Sequence, residues 1–170
     1  MDKINLLRNF GIKNEEEVVL PGINAKLNEI QAAIGLMVLG KLEEEKEKRR
    51  KLFEVYNVEL GGIEGLSIFA SDQSCIVRIA SEDFGASRDD LYEYLKEFNV
   101  FGRKYFSPLC SNYPHYKELP SAAVEKLPFA NKVAKEVLSL PFYGELGPEN
   151  ARKISNIIKN CQVAKKRSII

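Results

Sequence analysis

The side chains able to carry out catalysis are few in this sequence. His115 is the only histidine, so a zinc site or a Ser-His-Asp triad lacks the residues it needs. It also lies in a loop rich in proline and tyrosine, where a histidine is usually a packed surface residue. Cys75, Cys110 and Cys161 are widely spaced and form no Cys-x-x-Cys pair. The residue types therefore predict neither a catalytic residue nor a metal site.

Other polar residues are better suited to binding. Asn24 follows a Pro-Gly turn and suits the N-cap of a helix, because its short side chain can accept a free backbone N–H. Lys26 comes two residues later. Arg103 and Tyr105 alternate along a predicted strand, which places both on one face. Taken by themselves, these residues are also compatible with an ordinary helix start and an ordinary edge strand.

The longest helical pattern in the chain begins at Asn24. Its apolar residues recur at helical spacing, which predicts one buried face formed by Leu27, Ile30, Ile34, Met37 and Val38. A charged stretch follows, in which Glu residues precede Lys or Arg residues by four positions and support a helix that crosses solvent. We therefore predict one helix over residues 24–58, long enough to bridge two domains.

The remainder of the chain alternates strand-like and helical patterns. Leu66–Ala70 and Cys75–Ala80 are predicted as a hairpin, residues 99–106 as a third strand and Leu138–Pro141 as a short last strand. A capping box at Ser87 and prolines at positions 128 and 148 indicate helix starts. The predicted fold class is α+β, with a small antiparallel or mixed sheet of three to four strands, helices packed on it and one long N-terminal bridging helix.

Composition argues against several classes of partner. The formal net charge is +1, so no nucleic-acid partner is predicted. No run of about 18 apolar residues occurs, hence no transmembrane helix is predicted, and the first residues lack a signal-peptide core. An odd number of widely spaced cysteines is typical of reduced thiols. We predict a cytoplasmic protein without nucleic-acid or membrane contacts.

One ordered motif carries a resemblance to a known family. It runs Gly22-x-Asn24-x-Lys26-Leu27-x-Glu29-x-Gln31-Ala32-Ala33-x-Gly35-Leu36. This order resembles the signature of the DegT/StrS-type nucleotide-sugar aminotransferases, which are pyridoxal-phosphate (PLP) enzymes of the aspartate aminotransferase fold. Further segments are similar to family segments, namely Leu7–Gly11, Arg103–Leu109 and Val137–Pro141. The resemblance reaches about Asn160 and implies the family's small C-terminal domain.

The resemblance implies roles for the polar residues singled out above. Asn24 matches the family asparagine that contacts the phosphate of the PLP held by the partner subunit. Lys26 stands at a second cofactor position, where the family commonly has arginine, and a lysine lacks the planar fork that binds an anion through two hydrogen bonds. Arg103 and Tyr105 match positions at the mouth of the substrate site.

The same resemblance implies that the Schiff-base lysine is not in this chain. In the family that lysine lies in a Ser-x-x-Lys stretch followed by a Gly-Glu-Gly-Gly-like run, and neither occurs in residues 1–170. The chain is therefore expected to begin partway through a family member and to lack the large domain. We expect PLP in the complete enzyme and none bound by this chain alone.

The expected organisation has a remnant of the large domain with a linker at 1–23, the bridging helix at 24–58, the small domain at 59–162 and a basic tail at 163–170. The leading hypothesis is the C-terminal domain of an aminotransferase acting on a nucleotide-linked keto-deoxy-sugar, itself inactive as a fragment. The alternative is a non-catalytic dimerisation or interaction module derived from that fold. Either hypothesis predicts a homo-oligomer formed through the long helix, or association with a separate large-domain chain.

Overall fold

A computed structural model describes residues 2–167, with side chains through residue 162. The chain divides into two compact units, residues 1–43 and residues 44–170. The first contains helices α1 (Asp2–Arg8) and α2 (Glu29–Gly40). Helix α3 (Leu42–Leu60) begins at the end of the first unit and continues into the second.

The helical stretch predicted over residues 24–58 is present as two successive helices, α2 and α3, with Lys41 between them. The predicted N-cap is wrong. Asn28 caps α2, since its side-chain oxygen accepts the Gln31 N–H at 2.8 Å. Asn24 instead forms an isolated antiparallel bridge with Asn9, so the helix begins only after this extended segment ends.

Helix α2 does not bury the face that its apolar spacing predicts. Ile30, Leu36 and Val38 are 74%, 71% and 58% exposed, and none of its residues is buried. Because these residues lie on different sides of the helix, α2 is apolar nearly all round. A helix of that kind is normally enclosed by other structure. Nothing in the described part of the chain encloses it.

The second unit is built on a four-stranded antiparallel sheet with the order β1-β2-β4-β3. Its strands are β1 (Leu66–Ala70), β2 (Cys75–Ile79), β3 (Arg103–Lys104) and β4 (Val137–Leu140). The predicted hairpin is confirmed as β1–β2, and the predicted last strand is confirmed as β4. The third strand is much shorter than predicted at both ends. Before it, the Val100 N–H still donates to the Leu95 carbonyl at the end of the preceding helix at 3.0 Å; after it, the Ser107 N–H donates to the Lys104 carbonyl at 3.2 Å and turns the chain away from the sheet.

Helices cover the sheet and supply most of the core. In addition to α3 they are α4 (Ser81–Phe84), α5 (Arg88–Glu97), α6 (Pro128–Glu136) and α7 (Gly147–Arg167). The fully buried side chains include Leu52, Tyr56, Leu60, Val77, Ile79, Leu91, Leu95, Leu138 and Ile158. Each such side chain contributes about 1.5–3 kcal/mol through burial. The α+β class with helices packed on the sheet is confirmed.

The predicted signals for the starts of α5, α6 and α7 are also present. Ser87 and Asp90 form the capping box of α5, and α6 and α7 begin at or just before the two prolines. Helix α6 leaves its apolar side uncovered, with Phe129 83% exposed. The backbone of residues 163–167, predicted as part of a basic tail, continues α7, while residues 168–170 lie outside the described residues. None of the described helices has the length and apolar character needed to cross a membrane.

Candidate functional site

A close contact between two backbone segments positions Asn24. A Cβ atom added at Gly22 would overlap the backbone of Gly11 and Phe10, so only glycine lets the segments approach. The neighbours of Asn24 are then hydrogen-bonded to the last turn of α1: the Ile23 N–H donates to Leu7 O at 2.8 Å, and the Ala25 N–H to Arg8 O at 2.9 Å. These bonds hold the backbone on both sides of Asn24.

The Asn24 side chain is exposed at this fixed position. Within the described residues it makes no hydrogen bond to another side chain or to the backbone, so its amide is available to a ligand. An amide nitrogen is a donor and its oxygen an acceptor. The position therefore suits an oxygen-rich ligand such as a phosphate.

Lys26 lies in a groove of about 780 Å³ in the first unit. The groove is lined by Lys26 together with Asp2, Asn5, Leu6, Arg8, Asn9, Ile12 and Lys13. The Lys26 ammonium sits 5.5 Å from the centre of the Phe10 ring, while Lys13 is paired with Glu17 at 2.8 Å. Asn24 does not line this groove. Three basic side chains against one acidic one make it attractive to anions.

Arg103 and Tyr105 come together in the second unit. Both line a groove of about 450 Å³, along with Gln73, Ser74, Lys104, Phe106, Ser107, Pro108, Tyr113 and Ser139. Arg103 is exposed and Tyr105 half-buried, with the Tyr105 ring 4.1 Å from the ring of Phe106. Tyr113 and Ser139 were missed as candidates. Only the pairing of Ser139 with Arg103 across β4 and β3 brings Ser139 to this place.

A charged network lies behind β3. Lys104 Nζ is 2.6 Å from Asp89 Oδ1 and 4.8 Å from the centre of the Tyr92 ring. Asp89 Oδ1 also accepts from Arg88 Nε at 2.8 Å. The hydrogen bond from Lys104, reinforced by the Arg88 guanidinium, holds the pKa of the Asp89 carboxyl below its usual range.

Arg88 is a buried residue that sequence reasoning missed. It is 3% exposed, and its Nη1 donates to Ala134 O at 3.1 Å and to Val137 O at 2.9 Å. From the sequence, residues 87–90 indicated only a capping box. No local pattern links Arg88 to carbonyls that lie 46 and 49 residues away along the chain.

The remaining candidates do not form a catalytic centre. His115 is exposed, as expected for a loop histidine. Among the residues whose side chains are described, no group of three or more His, Cys, Asp or Glu residues is arranged to hold a metal ion. Asn24 and Lys26 belong to the first unit, and Arg103 and Tyr105 to the second.

The structure contains an α+β domain, preceded by a segment that needs glycine at Gly22 and presents Asn24. This is the arrangement that the resemblance implies for an aminotransferase. The family model described as the DegT/DnrJ/EryC1/StrS aminotransferase family matches residues 1–159. The chain belongs to that family. The resemblance drawn from the motif is thereby confirmed.

Curated relatives share this similarity. The chain is 43% identical over 162 residues to a dTDP-4-amino-4,6-dideoxy-D-glucose transaminase of Escherichia coli, covering 92% of this chain and 44% of the relative. It is 26% identical over 168 residues to a GDP-perosamine synthase of Vibrio cholerae, covering 94% of this chain and 45% of that protein. The chain thus spans less than half the length of these relatives.

Solved structures agree with the sequence comparison. A crystal structure of DesI in the presence of its TDP-sugar product superposes with a TM-score of 0.85 at 29% identity, over 99% of this chain and 44% of DesI. A structure of DesV from S. venezuelae in complex with a ketimine intermediate gives a TM-score of 0.82 at 25% identity, over 95% of this chain and 43% of DesV. PseC of Helicobacter pylori, at 22% identity and a TM-score of 0.83, supports the fold alone.

Proposed function

We propose that this chain supplies the small domain and the interface segment of a PLP-dependent aminotransferase that acts on a nucleotide-linked keto-deoxy-sugar in amino-sugar biosynthesis. The observation that carries the proposal is the glycine contact that holds Asn24 exposed between two hydrogen-bonded neighbours. The similarity to the E. coli transaminase supports the same class of substrate. The proposed amino donor is glutamate, and the proposed compartment is the cytoplasm.

Asn24 is proposed to donate to the phosphate of the PLP bound by a neighbouring subunit. The residues present fit such a group, because an exposed amide on a fixed backbone can donate to phosphate without first rearranging. Lys26 is proposed as an additional cation for an anionic group, acting as a point charge. When bound, PLP supplies the carbonyl chemistry that carries an amino group between donor and acceptor.

Arg103 and Tyr105 are proposed to contact the substrate. A guanidinium binds phosphate or carboxylate oxygens through two parallel hydrogen bonds, and Tyr105 adds a phenol and an aromatic face beside Phe106. These residues bind and orient; we assign no proton transfer to any residue of this chain. On this proposal the chain alone is inactive and holds no PLP.

The proposed assembly is a homo-oligomer through α2, or a complex with a separate large-domain chain. A helix apolar nearly all round favours enclosure by other subunits or domains over exposure to water. The same observation favours the second candidate function, a non-catalytic dimerisation or interaction module. In such a module, the candidate site residues would be retained from an enzyme but would bind neither cofactor nor substrate.

A chimera separates the two functions. The matching 44% of the E. coli transaminase is replaced by residues 1–170, and PLP absorbance and transamination of dTDP-4-amino-4,6-dideoxy-D-glucose with 2-oxoglutarate are measured. The aminotransferase proposal expects both, and the interaction module expects an assembled but inactive protein. The chain by itself is the control. A borohydride-reducible PLP adduct on one specific lysine of that control would contradict the proposed inactivity of the chain.

A further inference from the structure

We propose that the ion pair between Asp89 and Lys104, anchored by the buried Arg88, is a positioning device that holds β3 in place and thereby keeps Arg103 and Tyr105 at their groove. Asp89, Lys104 and Arg88 are positioning residues: Lys104 also lines the groove, but its ammonium is held by the Asp89 carboxylate. The functional part of this inference rests on the proposed substrate role of Arg103 and Tyr105.

The need for such a device follows from the length of β3. The strand has only two residues, paired as Arg103 with Ser139 and Lys104 with Leu138. It lies at the edge of the sheet, and no strand of the described residues pairs with its outer side. So short an edge strand has few backbone hydrogen bonds to fix it, and a side-chain anchor has a correspondingly large share in its stability.

The anchor is attached to the core through Arg88. Arg88 is buried and donates to carbonyls at the end of α6 and at the first residue of β4. Through its Nε it fixes Asp89, and Asp89 in turn accepts from Lys104. A continuous path of charged hydrogen bonds thus connects the neighbouring strand β4 with the side chain of β3.

Alternation within the strand sets the position of Arg103: Lys104 reaches back to α5, so Arg103 projects to the other side of the sheet. Tyr105 follows in the turn directly after the anchored Lys104 and lines the same groove as Arg103. The chain reverses immediately afterwards through the Ser107 N–H and Lys104 O hydrogen bond, with Phe106 at a φ of 44°. The loop that carries Tyr113 therefore starts from the same anchored residue.

Hydrogen–deuterium exchange of the 170-residue chain tests the device. Lys104→Met keeps the length and the apolar stem but removes the charge, and we expect exchange in residues 100–106 to rise about two- to five-fold, the range that a partly exposed ion pair provides. Lys104→Arg keeps the pair and should restore the parent rate. Glu93→Gln is the matched control, because it removes the Lys96 partner on the same helix α5 and should leave residues 100–106 unchanged.

The outcome separates this inference from the proposed function. Unchanged exchange in Lys104→Met, or an equal change in Glu93→Gln, overturns the positioning role. A second measurement adds dTDP-4-amino-4,6-dideoxy-D-glucose to the parent and to Lys104→Met. Protection of residues 103–113 in the parent that is weaker in the variant supports both ideas. Faster exchange in the variant, without ligand protection in the parent, supports the device and counts against the substrate role of Arg103 and Tyr105.

Discussion

At the scale of single residues, Asn24 is the test of the cofactor proposal. A hydrogen bond to a charged group contributes about 1.5–3 kcal/mol. In the chimera, Asn24→Ala should therefore weaken PLP retention by roughly one to two orders of magnitude, measured by absorbance after dialysis. Asn24→Asp should be worse, because it places a carboxylate against a phosphate.

The helix cap provides a matched control for that substitution. Asn28 is the N-cap of α2, so Asn28→Ala should cost about 1 kcal/mol of helix stability while PLP retention stays near the parent value. If Asn24→Asp retains the cofactor as well as the parent, Asn24 does not bind the phosphate.

The cysteines give a second prediction at this scale. Burial raises the pKa of the Cys75 thiol to about 12, so Cys75 stays protonated and unreactive in the folded chain at pH 8. Cys110 is exposed and Cys161 is buried. One thiol should react quickly with a disulfide reagent and two more only after denaturation. Because the folded state holds the Cys75 proton more tightly than the unfolded state, this residue's contribution to stability should fall as pH rises above about 9.

The sequence predicted the positions of individual candidate residues better than the connections among them. Arg103 and Tyr105 were predicted on one face of a strand. The structure places both in one groove, but only Arg103 lies in β3, and Tyr105 follows in a turn. The prediction that Asn24 is an N-cap was wrong because Asn24 pairs with Asn9, which lies fifteen positions away along the chain. The contact of Lys104 with Asp89 was not predictable for the same reason. Local patterns carry no information on which distant segments meet.

At the scale of the elements, the contact at Gly22 is expected to be intolerant of any side chain. Gly22→Ala places a Cβ into the backbone of Gly11 and Phe10, and overpacking of this kind costs about 1–3 kcal/mol. Amide exchange in residues 7–25 should rise accordingly. Gly62→Ala is the matched control, because open space surrounds that position. Equal exchange in both variants would show that the close approach does not stabilise the segment.

The observed element boundaries agree with the predicted ones where interactions between residues close in sequence determine them. The capping box of α5 and the hairpin β1–β2 formed where predicted, because each depends on residues close together in the chain. The start of α2 and the end of β3 depend instead on hydrogen bonds between segments or on a turn that leaves the sheet. The predicted start of α2 was five residues too early, and the predicted end of β3 was two residues too late.

At the scale of the whole molecule, the exposed apolar surface of α2 should drive self-association. We expect light scattering to give a mass above 19.2 kDa for the purified chain. Gly35 has open space around it in the chain, so Gly35→Ala should stabilise α2 by about 0.5–1 kcal/mol. If a second copy packs closely there, the same methyl group should weaken association by roughly 5- to 150-fold, as overpacking of about 1–3 kcal/mol implies.

The two effects of Gly35→Ala distinguish a closely packed interface from non-specific hydrophobic association. Association that is unaffected or strengthened would mean that α2 aggregates without a defined interface. A monomer at high concentration, unchanged by salt, would contradict the proposed assembly altogether.

Helix α2 also has a consequence for the life of the chain in a cell. A twelve-residue apolar helix that no part of the described chain covers offers chaperones and proteases the kind of surface they bind. If the proposed assembly needs a separate large-domain chain and that chain is synthesised more slowly, the excess of this chain should be captured and degraded. Its steady-state abundance would then follow the supply of the partner more closely than the strength of its own promoter.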